Sequence, residues 1–106
     1  MKLSENQLRF LRGKAHALKP LIMVGQAGLT DSVCAETVRT LQDHELVKVR
    51  VRGTDRSARN VLLEQLATRT QSELVQRIGH VAVLYRPREQ LPRLVLPDAG
   101  KQPATA

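Results

Sequence analysis

The chain has 106 residues, and its 17 lysines and arginines outnumber its 10 aspartates and glutamates to leave a formal charge of +7. That length suits one domain, and an apolar content of 42% supplies one core that needs no disulfide or metal to hold it. No apolar run approaches the ~20 residues of a membrane span, the opening Met1-Lys2-Leu3-Ser4-Glu5 has no signal-peptide core, and the lone Cys34 closes no internal disulfide.

Membrane-spanning, secreted and disulfide-rich classes are thereby excluded, and a reducing, cytoplasmic setting is expected. Ser4 and Gln7 have the spacing of a capping box, and Leu8, Leu11 and Ala15 follow at helical intervals. Pro20 closes that region, and Leu21-Ile22-Met23-Val24 reads as a short buried strand. Gly25-Gln26-Ala27-Gly28 comes next. Thr30 or Asp31 then caps a second helix through Val33, Thr37, Val38 and Leu41, with Cys34 in or beside the core. Asp43 and Glu45 oppose the dipole at its far end, so that end is expected to fray or to be turned by His44.

From Leu46 to Arg52 the alternation is strict: Val47, Val49 and Val51 on one face, Lys48, Arg50 and Arg52 on the other. Gly53-Thr54-Asp55 reads as a turn and cap, Ser57 to about Thr70 as a third helix, and 73–78 and 81–85 as strands joined by a hairpin at Gly79-His80. Leu94-Val95-Leu96 is a possible further edge strand, and residues 98–106 form an aperiodic tail expected to be flexible, outside a domain of residues 1–97. The order α-β-α-β-α-β-β predicts an α/β fold, a single domain whose four-stranded mixed sheet is packed by helices, on one side.

Charge is distributed unevenly. Residues 1–30 carry five cations against Glu5, residues 31–45 are net acidic, and residues 46–88 carry nine cations against Asp55, Glu64 and Glu73. A cationic face with an anionic back suits a polyanion partner, and arginine, which supplies 12 of the 17 positive charges, offers phosphate a planar fork of donors. Reactive constellations are absent: His16, His44 and His80 form no metal-ligand spacing with one another or with Cys34, and no acid stands in a general acid–base motif. Neither an enzyme nor a metal or other cofactor is expected.

The glycine loop is the one motif with a mechanism. It lacks the endings of a nucleotide P-loop and the three-glycine dinucleotide spacing. Two glycines three apart allow a phosphodiester to approach the main chain, and a helix start behind them offers N–H groups, as in the GXXG loops of KH domains. A plain strand-to-helix turn is the competing reading.

The stretches Leu11-Arg12-Gly13-Lys14-Ala15-His16-Ala17-Leu18-Lys19-Pro20, Val24-Gly25-Gln26-Ala27-Gly28-Leu29-Thr30, His44-Glu45-Leu46-Val47-Lys48-Val49 and Gly79-His80-Val81-Ala82-Val83-Leu84-Tyr85-Arg86-Pro87 together resemble, in order, the CRM domain (chloroplast RNA splicing and ribosome maturation). The likeness spans roughly residues 3–97 and is to the stand-alone bacterial YhbY type. It implies a fold close to the C-terminal domain of bacterial translation initiation factor three, and association with precursors of the large ribosomal subunit. It also implies an RNA site at Gly25–Gly28 with Lys14, His16 and Lys19. Gln26 and Ala27 bring no positive charge, so contact at the loop runs through main-chain N–H groups and the Gln26 amide.

With one face of the Leu46–Arg52 strand left open, its cations would stand about 7 Å apart and suit a helical RNA backbone. The alternative is a solvated face whose charges block edge pairing. Only Phe10 and Tyr85 are aromatic, so base stacking is not expected, and recognition should rest on shape and phosphate. The expected RNA-facing set is Arg12, Lys14, His16, Lys19, Gly25, Gln26, Ala27, Gly28, Lys48, Arg50, Arg52 and Arg86. The expectation is a monomeric RNA-binding factor for large-subunit assembly. The alternatives are a translation factor on the small subunit and a basic module that meets an acidic protein.

Overall fold

A computed structural model of the chain describes residues 2–88 and 92–97. The elements are α1 (Glu5–Ala15), β1 (Pro20–Val24), α2 (Asp31–His44), β2 (Leu46–Val51), α3 (Arg56–Thr70), β3 (Glu73–Ile78) and β4 (Val81–Tyr85). Each helix starts where a side chain can take an orphan N–H. Ser4 Oγ accepts from Gln7 N at 3.1 Å while Gln7 Oε1 accepts from Ser4 N at 3.0 Å, completing the capping box. Thr30 Oγ1 accepts from Val33 N at 3.1 Å, and Asp55 Oδ1 from Ala58 N at 2.8 Å.

The strands form one mixed sheet in the order β1-β2-β4-β3, with β1 parallel to β2 and the other two pairs antiparallel. Val47, Val49 and Val51 face α2 and α3 and join Ile22, Val24, Leu41, Leu63, Leu66, Ala82 and Leu84 in one core, with Cys34 buried among them. The second face is also covered, which corrects the expectation of helices on one side only. Leu46, Val83 and Tyr85 are apolar on that face, so they need a cover of their own, and α1 supplies it with Leu11 and Ala15. Burying Leu11 alone is worth roughly 2–3 kcal/mol. A register shift between Leu74 and Gln76 in β3 is accompanied by Val75 turning into this same α1-side core.

Two further differences involve the segment after β4. The α2 terminus is closed rather than frayed. Glu45 takes a positive φ of 63° and is fully buried, while the Arg88 guanidinium donates to the last free carbonyls, Gln42 O at 2.8 Å and Asp43 O at 3.2 Å. Residues Leu94-Val95-Leu96 add no strand. The Glu45 carboxylate takes the N–H groups of Arg93 (2.8 Å) and Leu94 (2.9 Å), and Leu94 and Leu96 pack against the α1-side core. Gln7 Nε2 donates to Pro97 O at 3.2 Å and ties the segment to α1. The tail 98–106 lies outside the described residues.

Candidate nucleic-acid interface

β1 runs directly into the glycine turn. Gly28 N donates to Gly25 O at 3.0 Å, closing a four-residue turn, and Gly28 holds φ at +74°, a conformation that favours glycine. Gln26 and Ala27 are exposed at the tip, and among the described residues neither main-chain N–H has a protein acceptor. The Gln26 side chain leans on the next strand's end: a Cβ on Gly53 would stand 3.3 Å from Gln26 Cγ. The helix behind the turn is less open to an anion than its position suggests. α2 begins at Asp31, its N-cap Thr30 already serves Val33, and the Asp31 carboxylate, held by Arg69 at 2.9 Å, sits in its first turn.

The turn abuts the cationic strand. Arg52 N donates to Val24 O at 2.9 Å, so Arg52 lies beside Gly25, with Arg50 and then Lys48 further back along β2. Residues two apart on a strand are about 7 Å apart. Arg50 and Arg52 are exposed, whereas Lys48 is half-buried and its Nζ donates to Leu18 O at 3.0 Å. The C-terminal end of α1 crosses this region, so Arg12 and His16 join Lys48 around a cleft of about 280 Å³ floored by Val81 and Val83 and edged by Gln76 and Ile78.

The face is not purely cationic. Leu21 (51% exposed), Met23 (48%) and Ile78 (66%) stand open to solvent, Met23 being paired with Arg50 across β1 and β2. They offer apolar contact beside the charges. Lys14 lies with its Nζ 5.5 Å from the Phe10 ring centre, and Lys19 is exposed just ahead of β1.

The structure therefore brings together the glycine turn, Arg52, Arg50, Lys48, Arg12 and His16. Arg86 is left out. It follows β4 at the opposite end of the sheet, where its N–H donates to Glu45 O at 2.8 Å and its Nη1 to Thr70 O at 3.3 Å. Its role there is to close the chain onto α2 and α3.

Three arginines went unread in the sequence. Arg56 and Arg59 on the first turns of α3 and Arg77 at the end of β3 line a depression of about 470 Å³ with Asn60 and Gly79. This belongs to the same end of the sheet as the glycine turn, because Val51 N donates to His80 O at 2.8 Å and draws the β3–β4 hairpin beside the end of β2. The available signal was the i, i+3 spacing of Arg56 and Arg59 just behind the Asp55 cap, which puts both on one helix face. Among the described residues no group of three or more His, Cys, Asp or Glu side chains gathers to hold a metal ion, and no helix is long and apolar enough to cross a membrane.

Three helices and one four-stranded mixed sheet, in this chain order, are the fold the sequence resemblance implied. Residues 3–86 match the CRS1 / YhbY (CRM) domain, and the chain belongs to that family. It is 46% identical over 95 residues to a Haemophilus influenzae protein named as an RNA-binding protein, covering 86% of this chain and 96% of that one. It is 37% identical over 95 residues to YqeI of Bacillus subtilis, named a probable RNA-binding protein, covering 90% of this chain and 99% of YqeI. A solution structure of a hypothetical Staphylococcus aureus protein, described as a candidate RNA binder, superposes with a TM-score of 0.78 at 34% identity, over 91% of this chain and all of that one.

Proposed function

We propose that this protein is a non-enzymatic RNA-binding factor that holds folded ribosomal RNA against the Gly25–Gly28 turn and the adjoining Lys48–Arg50–Arg52 row, in the service of large-subunit assembly. The observation that carries the reading is the junction at Arg52. Its main-chain bond to Val24 O sets this arginine beside a turn whose tip N–H groups at Gln26 and Ala27 have, among the described residues, no protein acceptor. A phosphodiester seated there meets main-chain donors and a planar cation together. The names borne by the relatives support RNA as the ligand. With Tyr85 buried in the core and Phe10 engaged by Lys14, no ring is offered for base stacking, and shape and phosphate carry recognition.

The test compares binding to transcribed large-subunit and small-subunit ribosomal RNA, with co-sedimentation at low magnesium as the cellular readout. About five phosphate contacts give a slope of log K against log salt near −4. Migration with large-subunit precursors supports the proposal, whereas migration with small subunits assigns the chain to translation instead. Cellular complexes that survive ribonuclease would mean that the basic face meets a protein.

A further inference from the structure

We infer that the depression between α3 and the β3–β4 hairpin is a second phosphate-binding site, one that takes the backbone of the same folded RNA on the opposite side of the sheet from the Lys48–Arg50 row. The inference rests on the RNA-binding reading and adds a contact that the glycine turn does not require. Arg56, Arg59 and Arg77 converge on one concave surface with the Asn60 amide. Among the described residues no carboxylate forms an ion pair with any of the three, and Asp55, next to Arg56 in the chain, has Oδ1 engaged by Ala58 N.

Three guanidiniums sharing a hollow repel one another, and an anion is what offsets that repulsion. The hollow is also partly organised. Arg59 Nη1 lies 3.3 Å from His80 Nδ1, and since a guanidinium only donates, the imidazole accepts and fixes the direction of the arginine head. Gly79 forms part of the wall, and a Cβ there would meet nothing within 4 Å, so the main chain is open to close approach.

Placement determines what such a site adds. Arg77 pairs with Ala82, whose side chain faces the α2–α3 core, so Arg77 emerges on the α3 side. Lys48 and Arg50 pair with Val83 and Val81 and emerge on the α1 side. The hairpin end of the domain is therefore cationic on both sides of the sheet. A single flat strip of RNA backbone reaches only one of them. The two rows that flank a groove of an RNA helix reach both, which makes a helical element of folded RNA the ligand that uses the whole end.

The experiment measures anisotropy of a fluorescein-labelled RNA stem-loop over a salt series with three proteins besides the wild type: R56Q/R59Q/R77Q, R56K/R59K/R77K and Q26D/A27D. Circular dichroism checks that each is folded. The glutamine triple is expected to bind at least tenfold more weakly at low salt and to flatten the slope of log K against log salt by about 2. The lysine triple, which keeps the charge, is expected to restore the slope. A glutamine triple that matches the wild type in affinity and slope overturns the second site while leaving the turn to stand on the Q26D/A27D result. Equal losses in the lysine and glutamine triples also overturn it, since the cause is then structural. If the wild type binds neither this stem-loop nor ribosomal RNA, the underlying reading fails and takes the second site with it.

Discussion

Arg88 and Glu45 hold each other at the end of α2: the Arg88 N–H donates to Glu45 Oε2 at 2.9 Å while the Arg88 guanidinium donates to the carbonyls of Gln42 and Asp43. One residue thus closes the helix, and the other, through its second oxygen, collects the N–H groups of Arg93 and Leu94. A fully buried carboxylate with three main-chain donors is a structural anchor whose removal leaves three polar groups without acceptors. Glu45→Ala is expected to destabilise the fold by about 3 kcal/mol or more, and Glu45→Gln, which keeps one acceptor oxygen, by about 1–2 kcal/mol. Urea unfolding followed by circular dichroism measures both, and equal stability in all three proteins would refute the anchor.

The glycine turn separates folding from binding. Gln26→Asp with Ala27→Asp is expected to weaken RNA binding at least tenfold and to leave the melting temperature almost unchanged, because both side chains are exposed. Unchanged binding would reduce the loop to a bend. Gly28→Ala acts differently: its φ of +74° makes any side chain cost about 1–2 kcal/mol, whereas Gly25→Ala adds a Cβ in open space and is expected to leave thermal stability alone.

Lys48 and Arg50 are neighbours on one strand with unequal duties. Arg50→Gln removes an exposed charge, so the salt slope should flatten by about 0.7–0.9 with no loss of stability. Lys48→Gln also removes the bond to Leu18 O that fastens the chain between α1 and β1, and is expected to cost about 1 kcal/mol as well. Paired salt titrations and thermal melts distinguish the two, and identical stability would show that the Leu18 contact contributes nothing.

Tyr85 gives an alkaline signature. Burial pushes its phenol above the ordinary tyrosine pKa of 10.0, and the nearby Glu45 carboxylate adds to the shift. The folded state then holds the proton more firmly than the unfolded chain, so the contribution is intact below about pH 10 and is lost as pH rises through that value towards the folded pKa. Tyr85→Phe is expected to lose less stability between pH 9 and 11 than the wild type. Parallel alkaline losses in urea melts of the two proteins would remove Tyr85 as the cause.

Most of the fold is legible in local pattern. The capping box at Ser4 and Gln7, the alternation of Val47, Val49 and Val51, and the Gly79-His80 hairpin each fix an element through contacts within a few residues, and all three form as the sequence predicts. What stayed hidden depends on pairing across the chain. Glu45 reads as a misplaced charge because its partners, at 88, 93 and 94, lie more than forty positions away. Leu94 to Leu96 reads as a strand because nothing local reveals that a carboxylate takes its donors. Within the site, β2's cations announce themselves by alternation, while Arg77 joins Arg56 and Arg59 only after the hairpin folds back beside α3.

The two central strands of the sheet, Leu46–Val51 and Val81–Tyr85, are separated by a helix and a third strand. During synthesis the edge of β2 that takes β4 therefore stays unpaired until nearly the whole domain has left the ribosome, while β1 and α2, made earlier, are already at hand for its other edge and its valine face. Non-local closure of this kind is slow compared with helix formation. Charges along an open strand discourage edge-to-edge association, so the row proposed to grip RNA in the finished protein is also suited to guarding the chain while it is being made.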